Sequence, residues 1–436
     1  MKVIYPRDLL ATIKPFLRRK EFLAITGPRQ SGKTTFLKIA TSYLEHEMGI
    51  GKDRIHYVTF EDRRFLNEFE ADPLAFIESY TALRPARRHY IMIDEFQHAA
   101  RGGQGLKLIY DTVGNVKVII TGSSSLDIRA QVGKHMVGRV LTFNLFPFSF
   151  IEYLTIADRR LAQIYRRCNA GVSSLLVHLR RAKLPRGNDP FAGEMKSHFE
   201  KYCIWGGYPE VIMAKNTAVR EKVLGDIYNN YMLKDVRTLL ELATEKSLHA
   251  LAQHLATQIG NLVVYQNLSQ VTGLEFRKLK AHLSILEETF VCRPIRPFFR
   301  NRQKELTKNP KIYFHDTGLR NVLLDNFSPF EKRTDAGALV ENAVFTRLSN
   351  SGLAPGRVYF WRTKKGAEVD FILRRGDDVV PVEIKYSSFE TERISRSLAS
   401  FIESFKPKFA CVLNKNLWGM VRKNTTQVFF IPVYYV

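Results

Sequence analysis

Gly27-Pro28-Arg29-Gln30-Ser31-Gly32-Lys33-Thr34 fits the pattern G-x-x-x-x-G-K-[ST] at every fixed position. Its flanks decide what the match means. Phe22 to Thr26 is a short apolar run that predicts a buried strand, and Thr34 to Leu44 repeats apolar residues at the helical period. Strand, glycine loop and helix in that order aim backbone N–H groups and a helix N-terminus at phosphate oxygens. Gly27 and Gly32 permit the tight wrap, and Ser31 to Thr34 supply N–H donors. Lys33 is placed to reach β- and γ-phosphates, and the Thr34 hydroxyl to sit on Mg²⁺.

Further apolar runs build outward from this loop. His89-Tyr90-Ile91-Met92-Ile93 runs straight into Asp94-Glu95, as expected of a strand buried on both faces that ends in a Walker B pair. Asp94 is the candidate magnesium ligand, and Glu95 the candidate to position and polarise an attacking water. Val116 to Ile120 is another buried strand, and it ends in Thr121-Gly122-Ser123. Either Thr121 or Ser123 is a candidate to sense the terminal phosphate. Ile55 to Phe60 predicts a strand ending in Glu61-Asp62, two acids read here as turning the chain more readily than as holding metal. Residues 6 to 20 read as one helix, with Asp8 near the start and Arg18-Arg19-Lys20 near the end, the charge order that suits a helix dipole. Ser125 to Val132 reads as helical. Gly138-Arg139 precedes a strand from Val140 to Leu145. Arg139 either stabilises transition-state charge, in cis or across a subunit interface, or makes a structural ion pair.

The 436 residues allow two to four domains, and 45% hydrophobic with 25% charged residues is a globular composition. Sixty-six basic residues against 43 acidic ones give a net charge of +23. A charge of that size points to a polyanionic partner, nucleic acid first and an anionic membrane surface second. Cys168, Cys203, Cys292 and Cys411 lie far apart, which argues against both a zinc site and a disulfide framework. Neither a secretory h-region nor a bilayer-length apolar run occurs, so a soluble, reduced, cytoplasmic protein without a membrane partner is expected. The tract from Asp158 to Pro190 is conspicuously basic, with Arg159-Arg160, Arg166-Arg167, Arg180-Arg181 and Lys183.

Farther on, the pattern predicts helices over 248–259, 267–273 and 274–286, with Leu279, Leu283 and Leu286 facing inward. Arg277, Lys278, Lys280 and His282 then fall on the exposed side, where a helix-turn-helix protein places its DNA contacts. Between Arg293 and Lys311 seven Lys/Arg residues (293, 296, 300, 302, 304, 308 and 311) meet one acid, Glu305. Arg296, Arg300, Arg302 and Lys304 thus form a basic wing suited to tracking phosphates. In the last third, strands are expected over 358–362, 368–373 and 380–385, preceded by a helix over 339–345. Residues two apart on a strand share a face, so Glu383 and Lys385 project together, with Asp370 on the neighbouring strand. Two carboxylates and a lysine suit a Mg²⁺ site for phosphodiester cleavage. Asp370, Glu383-x-Lys385 and the helix acid Glu341 resemble the PD-(D/E)xK nuclease core.

Taken in order, Gly27 to Thr35, Ile93-Asp94-Glu95-Phe96-Gln97, Thr121 to Ser125, Gly138-Arg139, Pro147 to Tyr153 and Gly206-Gly207-Tyr208-Pro209-Glu210 resemble a large family of archaeal and bacterial AAA-type ATPases. That resemblance spans nearly the whole chain. It implies nucleotide contacts from Gly27 through Thr35, and a threonine or serine strand lying between the phosphate-loop and Walker B strands. It implies a multidomain α/β protein with an AAA-type core and central parallel sheet (1–155), a helical lid and basic connector (156–244), a winged helix-turn-helix (245–325) and a restriction-endonuclease-like domain (326–436). The expected work is ATP hydrolysis with Mg²⁺ coupled to DNA remodelling or Mg²⁺-dependent cleavage, in a homo-oligomer for which a ring is plausible. The alternative is a nucleotide switch that engages a protein partner, with a nuclease-like domain that is inactive.

Overall fold

The computed structural model describes residues 4–122, 133–230, 245–299, 305, 308–350 and 358–436. The chain forms two compact units, one of residues 1–148 with 234–236 and 288–290, the other of residues 149–233, 237–287 and 291–436.

The first unit is built on five parallel strands, β1 (Phe22–Thr26), β2 (Ile55–Thr59), β3 (His89–Asp94), β4 (Val116–Gly122) and β5 (Val140–Asn144), in the order β2-β3-β4-β1-β5. All three central strands, β1, β3 and β4, are buried from end to end. That is why they read as unbroken apolar runs and not as alternating ones. Helices cover both faces, with separate cores around Ile91, Ile93 and Ile120 and around Leu23, Ile25 and Met92. The parallel arrangement sends every carboxyl end to one edge, and the candidate residues of β1, β3 and β4 gather there. One local expectation changes. The helix expected over 6–20 stops at Ile13 and gives way to a 3₁₀ turn, Lys14–Phe16, because Pro15 has no N–H to donate and crowds the preceding turn. Asp62 turns the chain, accepting the Arg64 N–H at 3.0 Å as the N-cap of the helix Arg63–Ala71. The helix expected over 125–132 lies outside the described residues.

The second unit has one main core. Leu161, Tyr165 and Phe199 from the segment read as lid and connector, with Phe150 from the stretch read as AAA core, pack with Tyr313, Val340, Phe371, Val382, Cys411, Trp418 and Phe429. This core draws residues from all three of the stretches 156–244, 245–325 and 326–436. Its seven-stranded sheet even begins in the connector: β6 (Gly187–Asn188) pairs antiparallel with Leu417 and Trp418. Past β7 (Cys292–Ile295) and β8 (Lys311–Phe314), an antiparallel hairpin, come β9 (Val358–Arg362), β10 (Glu368–Arg375), β11 (Asp378–Ile384), β12 (Phe409–Asn414), β13 (Leu417–Lys423) and β14 (Thr426–Pro432). The sheet order is β6-β13-β14-β12-β11-β10-β9, with parallel pairs only at β11/β12 and β12/β14. Ahead of the hairpin lie the helices Glu245–Thr257, Tyr265–Thr272 and Phe276–Glu288.

Gly206-Gly207 in the Gly206-to-Glu210 segment has a structural role. The buried Asp316 carboxylate accepts the Gly207 N–H at 2.7 Å and caps the helix Thr317–Leu323 through the Leu319 N–H at 2.9 Å. A Cβ on Gly318 would stand 2.2 Å from the Trp205 carbonyl oxygen, a backbone atom that cannot swing aside. Gly318→Ala is expected to cost about 1–3 kcal/mol of stability, the usual range for an overpacked site, read as a lowered Tm. An unchanged Tm would show that these two segments are not held as tightly as their spacing indicates.

Candidate functional site

At the carboxyl edge of the five-stranded sheet the predicted residues converge. Gly27 is forced by close approach, since a Cβ there would lie 2.1 Å from the Leu145 carbonyl oxygen. The helix Lys33–His46 begins directly after Gly32, its N-cap, as the motif requires. Lys33 is buried and donates to the Gly27 and Pro28 carbonyls, both at 3.0 Å, so its ammonium is held over the loop by the loop itself. The Thr34 hydroxyl donates to Asp94 Oδ2 at 2.6 Å. Thr121 Oγ1 donates to the other Asp94 oxygen. The Glu95 N–H reaches both Asp94 Oδ1 and Thr121 Oγ1 at 3.2 Å. Thr121 thus lies on the strand between β1 and β3 and joins the two acids, and Ser123 lies outside the described residues.

Glu95 adopts φ 54°, a left-handed conformation that costs a non-glycine residue on the order of 1–3 kcal/mol and is tolerated mainly where surrounding structure fixes it. Here the fixing comes from its N–H contacts and from Gln97, whose Nε2 donates to Glu95 Oε2. Ser31 is fully buried, and its hydroxyl has no hydrogen-bond partner among the described residues. An orphaned hydroxyl inside a phosphate loop fits a phosphate ligand. The adjacency of the Thr34 hydroxyl and the Asp94 carboxylate likewise fits a magnesium ion, which supplies charge neutralisation on the phosphates when bound.

Two site residues escape sequence reading. Tyr57 donates its hydroxyl to Asp94 Oδ2 at 3.0 Å. Burial and the Asp94 carboxylate both push the Tyr57 phenol up from its ordinary range, so it stays a donor. Buried Arg7 donates to the Ser31 carbonyl at 2.8 Å and to the Phe146 carbonyl at 2.5 Å, with its guanidinium 4.7 Å from the Phe148 ring centre. It braces the phosphate loop from behind. Carbonyl partners leave no trace in a sequence pattern, which is why Arg7 passes unnoticed there.

Arg139 is not beside this site within the chain. Its carbonyl accepts the Phe22 N–H, and Val140 is in register with Phe22, so Arg139 lies at the amino edge of the sheet while Gly27 follows the carboxyl edge. There it pairs with Asp111 at 3.0 Å and faces the Tyr110 ring at 5.8 Å. Action in cis is excluded by that placement. The partly exposed pair contributes about 0–1 kcal/mol.

In the second unit the nuclease-like residues are drawn together differently from expectation. Glu341, on the helix Ala336–Asn350, and Glu368 and Asp370, on β10, surround Lys311 of β8. Lys311 is only 1% exposed and pairs with Glu368 at 2.5 Å and Glu341 at 3.4 Å, while Tyr313 donates its hydroxyl to Glu341. Lys311 was expected among the phosphate-tracking cations, and instead it is the counter-ion of a carboxylate cluster. Burial alone would lower its pKa; the carboxylates outweigh that and raise it. Three carboxylates share this ammonium, and burial together with Glu341 pushes Asp370 up to about 7, against the pull of the Ile384 N–H, which it accepts at 2.7 Å. Glu383, on the neighbouring strand β11, is buried, accepting the Ser395 hydroxyl at 2.6 Å and facing Lys385 at 3.5 Å. Each of the two acids expected as metal ligands thus has one oxygen engaged by a protein donor, Asp370 Oδ2 by the Ile384 N–H and Glu383 Oε1 by the Ser395 hydroxyl. Among the described residues no three acidic, histidine or cysteine side chains form a metal-binding group.

The raised Asp370 carboxyl has a consequence. Below about pH 4 both folded and unfolded chains hold this proton; between there and about pH 7 only the folded chain does. Its contribution to stability is therefore full at low pH and lost as pH rises through 7. Tm measured against pH is expected to fall less steeply over that window in Asp370→Asn than in the wild type, and parallel curves would exclude Asp370 as the group.

Arg277, Lys278 and Lys280 are exposed on the helix Phe276–Glu288, with the Lys280 ammonium 4.4 Å from the Phe276 ring, and Arg296 is exposed after β7. His282 is not on that surface: it is buried and its Nδ1 lies 2.8 Å from the Lys278 carbonyl. Leu279 and Leu286 are fully buried, Leu283 only partly. Arg300, Arg302 and Lys304 lie outside the described residues.

Residues 19–154 match the family described as AAA domain. With the parallel sheet and the gathered Thr34, Asp94 and Thr121, that match settles the first unit. It is an AAA-type P-loop domain. Residues 196–329 and 336–434 match two families described as domains of unknown function, DUF8612 and DUF4143. An uncharacterized protein of Haemophilus influenzae is 24% identical over 391 residues, 88% of this chain and 86% of that one. An uncharacterized protein of Mycobacterium tuberculosis is 25% identical over 402 residues, covering 91% and 77%. Among solved structures, the Walker-type ATPase PABY2304 of Pyrococcus abyssi matches at 14% identity with a TM-score of 0.44, over 74% of this chain and 96% of that one. Likeness of that degree assigns nothing to particular residues. No helix among the described residues is long and apolar enough to cross a membrane.

Proposed function

We propose that the protein hydrolyses ATP in its AAA-type domain and binds DNA through the helices and hairpin of its second unit. The observation that carries the first part is the joint placement of Thr34, Asp94, Thr121 and Glu95 around the phosphate loop. In this reading Lys33 and the loop N–H groups hold the phosphates, Thr34 and Asp94 take the Mg²⁺ side, and Glu95 accepts a proton from the attacking water. Three helices followed by an antiparallel hairpin is the element order of a winged helix, and Arg277, Lys278 and Lys280 on the third helix support DNA contact there. For the last domain the reading is an inactive nuclease-like fold. A buried ammonium already pairs with Glu341 and Glu368 of its carboxylate cluster, and this favours the nucleotide-driven binder over the nuclease.

The test is ATP turnover and DNA affinity across single-stranded and duplex DNA at several salt concentrations. Replacing Arg277, Lys278 and Lys280 together by Ala is expected to weaken duplex binding and to lower the slope of log K against log salt by about 3, near 0.9 per phosphate contact. Wild-type protein without DNA affinity at low salt would overturn the DNA half of the proposal and leave the ATPase half standing.

A further inference from the structure

Arg180-Arg181-Ala182-Lys183-Leu184-Pro185-Arg186 is densely cationic and plays no part in the sites above. It leads from the helix Arg159–Leu176 to β6 at the edge of the seven-stranded sheet. Ala182 and Leu184 pack against the core of the unit. Leu184 and the Lys183 carbonyl press so closely on that helix that a Cβ at Gly171 would come within 2.8 and 2.9 Å of them. Arg180, Arg181, Lys183 and Arg186 are exposed. Apolar residues go in and cations out with the two-residue alternation of extended chain. None of these four cations has an ion-pair partner among the described residues.

Beside the tract lies an open groove of about 590 Å³, walled by Arg181 to Arg186 and floored by Met420, Gln427 and Phe429. Met420 and Phe429 are register partners on β13 and β14, and exposed Arg422 lies opposite Gln427 on the same face. No acidic residue lines the groove. Glu392 approaches Gly419 where its Cβ would point, on the face away from Met420. The result is a fixed strap of unpaired cations along a partly apolar cleft.

We propose that this strap and groove bind the phosphodiester backbone of single-stranded DNA, with apolar contact to bases on the Met420 and Phe429 floor. The proposal rests on the reading that DNA is the ligand and adds a second contact surface, distinct from the helix Phe276–Glu288. Seven extended residues span at most roughly 25 Å. That length suits a site of about four nucleotides, the lower end for cationic single-strand grooves. A flexible strand can follow the cleft, whereas a duplex can touch only its rim.

The experiment measures binding of oligothymidylate, of the corresponding RNA oligomer and of a duplex to the full-length protein. It compares wild type, Arg181→Ala/Lys183→Ala/Arg186→Ala and the charge-preserving Arg181→Lys/Arg186→Lys. The alanine variant is expected to lose at least about tenfold in single-strand affinity, and its salt slope to fall by about 2, near 0.7 per phosphate lost. Duplex affinity and Tm should hold, and the lysine variant should bind like wild type. Single-strand binding unchanged in the alanine variant overturns the strap while leaving DNA binding intact. Tighter binding of RNA than of DNA overturns the DNA assignment, and wild type that binds no nucleic acid overturns the underlying reading with it.

Discussion

Glu95→Gln is expected to slow ATP hydrolysis by about 10²–10⁴-fold while leaving ATP binding within a few-fold of wild type. The amide keeps the size of the side chain and can still meet Gln97. What it loses is the capacity to take a proton from water as the nucleophile forms. The phosphate loop, Lys33 and the Thr34–Asp94 contact are untouched by the change. Lys33→Ala is the contrasting control, since it removes the ammonium from over the loop and should weaken binding and turnover together. Turnover of Glu95→Gln within twofold of wild type would remove Glu95 from the reaction, and would leave its left-handed backbone without a functional reason.

Lys311→Met should destabilise the second unit by about 3–5 kcal/mol near neutral pH, the range for removing one partner of a buried ion pair. Methionine approximates the volume of the lysine stem, so packing around β8 is largely kept. The loss is electrostatic: Glu341, Glu368 and Asp370 would face one another without their buried cation. Protonation relieves that repulsion, so the deficit should shrink at lower pH. Adding Glu341→Gln to Lys311→Met should restore part of the Tm, because one carboxylate fewer then needs a counter-charge. Wild-type Tm without nucleotide should not respond to millimolar Mg²⁺. Mg²⁺-dependent DNA cleavage by the wild type, abolished in Asp370→Ala, would overturn the role given to Lys311.

Legibility in the sequence differed between the two units for a physical reason. The first unit's site is written in contiguous short motifs because each strand of a parallel sheet delivers its functional residues at one end. Gly27 to Thr34, Asp94-Glu95 and Thr121 therefore stood out as chemistry following apolar runs. Arg139 could not be placed, since a cation before a strand reads alike at either edge of the sheet. Arg7 and Tyr57 were missed because main-chain carbonyls and a distant aspartate are their partners. In the second unit, Lys311 and Glu341 are 30 positions apart and meet only through packing. Lysine in a basic stretch looks solvated until burial shows otherwise, and His282 misled in the same way.

The amino-acid sequence alone determined the phosphate loop, the acids that serve it, the apolar run that ends in Thr121 and the excess of positive charge. Each of these is a local pattern, fixed by backbone geometry or by composition. Tertiary structure decided which cations are free and which are spent. Lys311 is buried among carboxylates, Arg139 is paired at the amino edge, and Arg181, Lys183 and Arg186 are held in solvent by the apolar residues between them. Charge is a property of residues, but its availability depends on what long-range packing brings within a few ångströms.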